Sequence, residues 1–173
     1  MARILMIGGG NRGRVLAGDL VAVGHAVRIT TREESGRAAI EAVGAECWIG
    51  TPDRIATLRY ALEGVTLACW LLGTACGSPE GVAELHGSRL EFFCRQVIDT
   101  TVRGLIYEGA GSVPIDVLAR GRSLVSSATQ FNAIPLAVLD ADPGDLDAWC
   151  SQAQAAIGGL LGRNGQRHTG SQS

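Results

Sequence analysis

Runs of apolar residues recur along the 173-residue chain, separated by longer stretches in which apolar and polar positions alternate at helical spacing. The runs are nearly continuous in apolar residues, which is typical of strands covered on both faces. The six runs are residues 3–7, 26–30, 46–49, 66–72, 101–107 and 134–139. The pattern predicts an α/β fold in three layers, with a doubly wound parallel sheet of about six strands.

The segments between these runs carry helical patterns. Between the first two runs, Leu16, Leu20 and Val23 repeat at i, i+4 and i+7, and Gly24 follows as a helix stop. Such helices are the crossover connections that parallel strands require. Further helices are predicted over residues 34–43, 53–62 and 82–98.

The last third of the chain is less regular. Over residues 115–132 an acceptable helical pattern is weakened by Gly121, so the sequence leaves the state of this segment open. A final helix is predicted to end near Leu161, and the polar, glycine-rich residues 162–173 are predicted to be a disordered tail. The chain is thus predicted to form one domain over residues 1–161, without room for a second one.

Composition and charge narrow the classes of function. The formal charge of −2 and the pI of about 5.9 give no sign of the basic surface that binding to nucleic acid or to an anionic membrane would require. Neither partner is therefore expected, and small ligands remain open. The N-terminal apolar run is too short for a signal peptide, and residues 65–72 fall far short of the ~20 apolar residues that span a bilayer. A soluble, cytoplasmic protein is expected.

Cysteines and aspartates suggest no further site. The five cysteines form no Cys-x-x-Cys pair and are interpreted as thiols in a reducing compartment, most of them buried. Four aspartates surround the start of the final helix, where carboxylates favour the positive end of the helix dipole. They are Asp140, Asp142, Asp145 and Asp147. A metal site is the alternative interpretation, but no matching ligand set accompanies them, so no metal is predicted.

A glycine-rich turn carries the main functional prediction. Gly8, Gly10 and Gly13 directly follow the first strand and open an amphipathic helix, which is the setting of a Rossmann-type dinucleotide site. Gly8 would allow the tight turn, Gly10 the approach of a pyrophosphate, and Gly13 close packing of the helix. The pyrophosphate would lie on N–H groups at the helix N-terminus, with Asn11 and Arg12 beside it. A turn that binds nothing is the alternative.

The end of the second strand bears on the choice of cofactor. A carboxylate there would bind the ribose hydroxyls of NAD, whereas an arginine would bind the 2′-phosphate of NADP. Thr30, Thr31 and Arg32 offer two hydroxyls and a guanidinium, so NADP is predicted over NAD. If the strand ran further, Glu33 or Glu34 would take the ribose-binding place, which keeps NAD open.

Together these segments resemble the NAD(P)-binding half of atypical short-chain dehydrogenases, which include NAD-dependent epimerase/dehydratase-like and NmrA-like proteins. The resemblance covers roughly residues 2–110. It is carried by the glycine turn, Gly24-His25, Thr31-Arg32, Gly44-Ala45-Glu46, Gly50-Thr51-Pro52-Asp53 and the segment 58–66. It implies that Thr51 lies beside the adenine, where the family usually has aspartate, and that Leu72 and Gly73 line the ribose and nicotinamide side.

The sequence departs from that family in its catalytic residues. Short-chain dehydrogenases use a Tyr-x-x-x-Lys pair, in which the lysine lowers the tyrosine pKa. This chain has no lysine, and glycine stands four positions after both Tyr60 and Tyr107. No catalytic residue is predicted; His86, Glu108 and Ser112 are polar candidates near the cleft.

Two functions remain open from the sequence. One is an NADP(H)-dependent oxidoreductase with non-standard catalytic residues or with a partner subunit, for example a homodimer. The other is a non-catalytic module that senses NADP(H) and acts through a partner, which the missing Tyr-x-x-x-Lys pair favours. A third interpretation is a nucleotide-binding domain of the potassium-transport regulatory type. Such domains usually have an acidic residue where Thr31 and Arg32 stand, which argues against this interpretation.

Overall fold

The computed structural model describes residues 1–169, and the six predicted strands form one all-parallel sheet. The strand order is β3-β2-β1-β4-β5-β6, so the order reverses between β1 and β4. The strands are β1 (Arg3–Gly8), β2 (Ala26–Thr31), β3 (Glu46–Ile49), β4 (Leu67–Leu71), β5 (Gly104–Glu108) and β6 (Leu136–Leu139). Gly8 of β1 is in register with Leu71 of β4, so both strands end at the same edge.

Helices cover both faces of the sheet, which confirms the doubly wound, three-layer prediction. They are α1 (Gly10–Ala22), α2 (Arg37–Glu41), α3 (Pro79–Leu85), α4 (Ser88–Ile98), α5 (Ile115–Phe131) and α6 (Leu146–Thr169). Alternate side chains of β1 face opposite layers: Ile4 packs with α1 and α6, and Leu5 packs with α4 and α5. Among the helices of residues 1–169, none has the length and apolarity needed to cross a membrane.

Three predicted helices between residues 34 and 98 differ in the structure. The helix predicted over 34–43 is a 3₁₀ turn, Glu34–Gly36, followed by the short helix α2. Residues 53–62 form two 3₁₀ turns, Ile55–Leu58 and Tyr60–Leu62, instead of an α-helix. The Thr57 hydroxyl explains part of this difference, because it donates toward the carbonyl of Arg54 at 2.6 Å and accepts from the N–H of Thr51 at 2.9 Å. These bonds compete with the regular helical pattern.

The predicted long helix over 82–98 is two helices. α3 ends before His86, and Gly87 has φ −128° and ψ −108°, which no α-helix contains. The chain therefore turns at this glycine, and α4 begins immediately afterwards. The break places His86 inside the protein rather than on a helix surface, since only 1% of that residue is exposed.

The segment left open by the sequence is the helix α5. Gly121 permits it to pack closely on the sheet, because a Cβ at this position would lie 2.2 Å from the Tyr107 hydroxyl. The final helix α6 extends to Thr169, past the predicted end near Leu161, so residues 162–169 are helical where a disordered tail was predicted. For residues 170–173, which lie outside the described residues, the tail stays a prediction.

Candidate functional site

The glycine turn lies at the carboxyl edge of β1. Gly8, Gly9 and Gly10 have φ values of 80°, 97° and 52°, a region that favours glycine. α1 begins at Gly10, and the N–H of Gly13 donates to the carbonyl of Gly9 at 3.0 Å. Three consecutive residues in this conformation turn the chain sharply from strand into helix.

The space around each glycine distinguishes their roles. A Cβ on Gly8 would lie 2.6 Å from the carbonyl oxygen of Leu71, and one on Gly9 would lie 3.0 Å from the Cα of Gly13. Gly9, which the sequence analysis did not single out, is therefore a packing position together with Gly13. A Cβ on Gly10 would meet nothing within 4 Å, so this position borders open space.

The partial positive charge at the N-terminus of α1 is not balanced by an acidic or capping side chain from residues 1–169. Within the part of the chain that the structure describes, no side chain caps this helix and no acidic residue lies in its first turn. The first N–H groups of an α-helix lack partners within the helix, and the helix dipole adds partial positive charge there. The turn thus offers donors beside the open space at Gly10.

A cleft of about 150 Å³ lies next to this turn, between the carboxyl ends of four strands. Five of the predicted cofactor-binding residues line it, namely Gly8, Thr31, Arg32, Thr51 and Leu72. Sequence reasoning missed Pro52, Ala75, Cys76 and Leu85, which also line it. The other predicted residues, Gly10, Asn11, Arg12, Gly13 and Gly73, are not among its lining residues.

Arg32 is the cation of this cleft. Its side chain is 65% exposed, and Nη2 lies 3.3 Å from Oδ2 of Asp53. The strand ends before Glu33, and the carboxylate of Glu34 is bound by both Nε and Nη2 of Arg37, at 2.7 and 2.9 Å. This pairing lowers the pKa of Glu34. Neither glutamate is among the residues that line the cleft.

Arg12 forms a buried ion pair with Glu108 instead of pointing toward the cleft. Its Nε donates to Oε2 at 2.9 Å and its Nη2 to Oε1 at 2.5 Å, and Glu108 is fully buried. Oε1 also accepts from the N–H of Gly73 at 2.7 Å, and Oε2 accepts from Nε1 of Trp149 at 2.8 Å. We call these four residues the Glu108 cluster.

This cluster satisfies the carboxylate completely. An ionised carboxylate has about four lone-pair sites, and four donors occupy them. The Arg12 guanidinium also lies 5.4 Å from the centroid of the Trp149 ring. Glu108 thus connects α1, the end of β4, β5 and α6, and it has no lone pair left for a substrate. Ser112, the other candidate in that loop, is exposed.

His86 lies in a second buried chain of hydrogen bonds. Its Nε2 is 2.9 Å from the carbonyl of Leu72 and its Nδ1 is 2.7 Å from the Tyr107 hydroxyl. Since the carbonyl only accepts, Nε2 carries the proton and Nδ1 accepts from the tyrosine. Burial lowers the pKa of His86 and raises that of Tyr107. Both side chains are therefore neutral and fixed at neutral pH.

The aspartates before α6 have separate structural roles. Asp145 Oδ1 accepts from the N–H of Ala148 at 3.1 Å, as expected of a carboxylate at a helix start. Asp142 Oδ1 accepts from Gly144, and Asp140 pairs with Arg122. Over residues 1–169 no cluster of His, Cys, Asp or Glu side chains is arranged to hold a metal ion.

Four of the five cysteines are buried, and Cys76 is exposed at the rim of the cleft. Burial raises the pKa of Cys69 and Cys94 to about 12, which suppresses their thiolates. A maleimide is therefore expected to label Cys76 first. If NADPH binds in the cleft, as the sequence predicts, labelling at about ten times its Kd is expected to slow by about tenfold, because only the free protein then reacts.

Mass spectrometry of the labelled protein measures this rate, and a Cys76→Ser variant gives the background from the buried thiols. An unchanged rate at saturating NADPH would place the ligand away from Cys76.

Several solved structures share the fold of this chain. No protein-family model matches the chain, and no curated protein matches it. Among solved structures, the triphenylmethane reductase of Citrobacter sp., complexed with NADP(H), aligns over 79% of this chain and 48% of its own, with 18% identity and a TM-score of 0.60. This chain has the fold of such reductases.

Epimerases share the same fold. The UDP-Glc/GlcNAc 4-epimerase of Campylobacter jejuni aligns over 80% of this chain and 52% of its own, with 11% identity and a TM-score of 0.67. The UDP-glucuronic acid 4-epimerase of Bacillus cereus, in complex with NAD, aligns over 79% and 55%, with 12% identity and a TM-score of 0.60. The chain spans about half the length of these structures. The fold expected from the short-chain dehydrogenase resemblance is thus confirmed.

Proposed function

We propose that this chain binds a nicotinamide dinucleotide at the turn between β1 and α1, with NADP(H) preferred over NAD(H). The observation that carries the proposal is the cleft at this turn, which brings Gly8, Thr31 and Arg32 together beside an uncapped helix N-terminus. The N–H groups of the first turn of α1 would hold the pyrophosphate. Arg12 would contribute through its backbone N–H, because its guanidinium is bound to Glu108.

The preference for NADP(H) follows from the charges around the cleft. Arg32 is more than half exposed, and its partner Asp53 is also exposed, so solvent screens this ion pair. A 2′-phosphate carries more charge than one carboxylate and offers a bidentate partner for the guanidinium. The phosphate would therefore displace Asp53. Glu34, which would favour NAD, is held by Arg37.

The first test replaces Arg32 with alanine. Charge-assisted hydrogen bonds contribute about 1.5 to 3 kcal/mol, so Arg32→Ala is expected to weaken NADPH binding at least tenfold. NADH binding should change little. Asp53→Asn removes the competing carboxylate and is expected to strengthen NADPH binding. Isothermal titration calorimetry with both cofactors measures these effects.

Arg95→Ala is the matched control, because Arg95 is also an exposed arginine paired with one carboxylate, that of Glu91, but does not line the cleft. It should leave both affinities unchanged. Equal binding of NADPH and NADH by the unaltered protein would contradict the NADP preference, and absence of binding by both would contradict the dinucleotide site.

A non-catalytic binding module is the better of the two functions that the sequence left open. Two of the three polar side chains considered near the strand ends are unavailable, because Glu108 is saturated by four donors and His86 is buried. The third, Ser112, is exposed in the loop after β5. A proton donor must reach the substrate to within hydrogen-bond distance. The module would act through a partner protein. Oxidation of NADPH by the purified protein with any member of a panel of carbonyl compounds would support an oxidoreductase instead.

A further inference from the structure

The two halves of the sheet differ at their carboxyl ends. In a doubly wound fold a dinucleotide lies across the point where the strand order reverses, with one nucleotide over each half. Here the order reverses between β1 and β4. The cleft is lined from the ends of β1, β2 and β3, together with the segment after β4. This is the half that holds the adenosine in the proposed function.

A leucine side chain lies at the reversal point itself. Leu72 follows β4, and its Cδ2 is 2.5 Å from the position that a Cβ on Gly8 would take. The backbone of Leu72 is held in place, because its carbonyl is bonded by His86 and by the N–H of Ala75. The Leu72 side chain lines the cleft at this point and forms its wall toward the end of β4.

Beyond this wall the second half is filled. The Glu108 cluster occupies the space between α1, β5 and α6. The loop after β5 packs directly on Gly73, since a Cβ on Gly111 would lie 2.0 Å from the Gly73 carbonyl oxygen. That carbonyl also accepts from the N–H of Val113 at 3.0 Å. A nicotinamide riboside would have to break a buried ion pair or move this loop.

We infer that the cleft takes the phosphorylated adenosine diphosphate half of the ligand and leaves the nicotinamide in solvent. The inference rests on the proposed function and narrows its ligand class to adenosine diphosphates that carry a 2′-phosphate. A module of this kind responds to total NADP(H) and is insensitive to its oxidation state.

The test compares three ligands on the full chain by isothermal titration calorimetry: NADPH, NADP⁺ and 2′-phospho-ADP-ribose, which lacks only the nicotinamide. Their Kd values are expected to agree within about threefold. NADPH binding more than about tenfold tighter than 2′-phospho-ADP-ribose would overturn the inference and leave the proposed function standing. Failure of all three to bind would overturn both.

The fluorescence of the reduced nicotinamide supplies an independent measurement. A ring left in solvent keeps its emission maximum when NADPH binds, so calorimetric binding without a shift is the expected result. A blue shift at saturation would mean that the ring enters the protein and would contradict the inference. NADPH bound to an authentic reductase serves as the positive control for the shift.

Discussion

Replacing Glu108 with alanine is expected to lower the free energy of unfolding by about 3 to 5 kcal/mol, the range for removing one partner of a buried ion pair. The substitution leaves the guanidinium of Arg12 uncompensated, since only 11% of that side chain is exposed. It also leaves the N–H groups of Gly73 and Trp149 without their acceptor. Urea unfolding followed by circular dichroism measures the loss.

Asp140→Ala is the matched control, because it removes an exposed partner of Arg122. Exposed pairs contribute about 0 to 1 kcal/mol, so this variant should unfold close to the unaltered protein. The double variant Arg12→Met with Glu108→Leu removes both charges and is expected to recover part of the loss. If Glu108→Ala costs no more than Asp140→Ala, the Glu108 cluster does not stabilise the fold.

Gly10→Ala is expected to weaken NADPH binding at least tenfold while the protein stays folded. A methyl group at this position meets no protein atom within 4 Å, so it enters only the space assigned to the pyrophosphate. The positive φ of 52° adds strain of about 1 to 2 kcal/mol. Calorimetric titration gives the affinity, and thermal unfolding gives the stability.

Gly24→Ala separates strain from ligand exclusion. Gly24 also has a positive φ, of 96°, and also lacks neighbours within 4 Å, but it follows α1 at the opposite edge of the sheet. The Gly24→Ala variant should lose about as much stability as Gly10→Ala and keep its affinity for NADPH. Equal affinity of both variants would argue against a pyrophosphate at Gly10.

The central strands β1, β4 and β5 could be predicted because they are almost entirely buried, and burial leaves a continuous apolar run. β4 is the clearest case, since all five of its residues are buried. The helices were less predictable. The hydroxyl of Thr57 competes with regular helical bonds near residues 51–57, and one backbone conformation at Gly87 divides the helix predicted over 82–98. Neither effect changes the spacing of apolar residues, so periodicity does not reveal it.

The candidate site could be predicted only where its residues are close in the chain. The glycine turn is such a case, because strand, turn and helix follow one another directly. The Glu108 cluster is not: Arg12 and Trp149 lie 96 and 41 residues from Glu108. A buried glutamate at a strand end gives no local signal of its partners, and the Arg12 side chain was therefore assigned to a phosphate in place of Glu108.

The long separations within the Glu108 cluster also bear on how the protein is made. Arg12 leaves the ribosome before Glu108, which follows 96 residues later, and Trp149 comes 41 residues after Glu108. Until then the guanidinium lacks this carboxylate, and contacts between residues so distant in sequence form slowly. Completion of the Glu108 cluster therefore requires α6, which carries Trp149 and follows the other described helices in the chain.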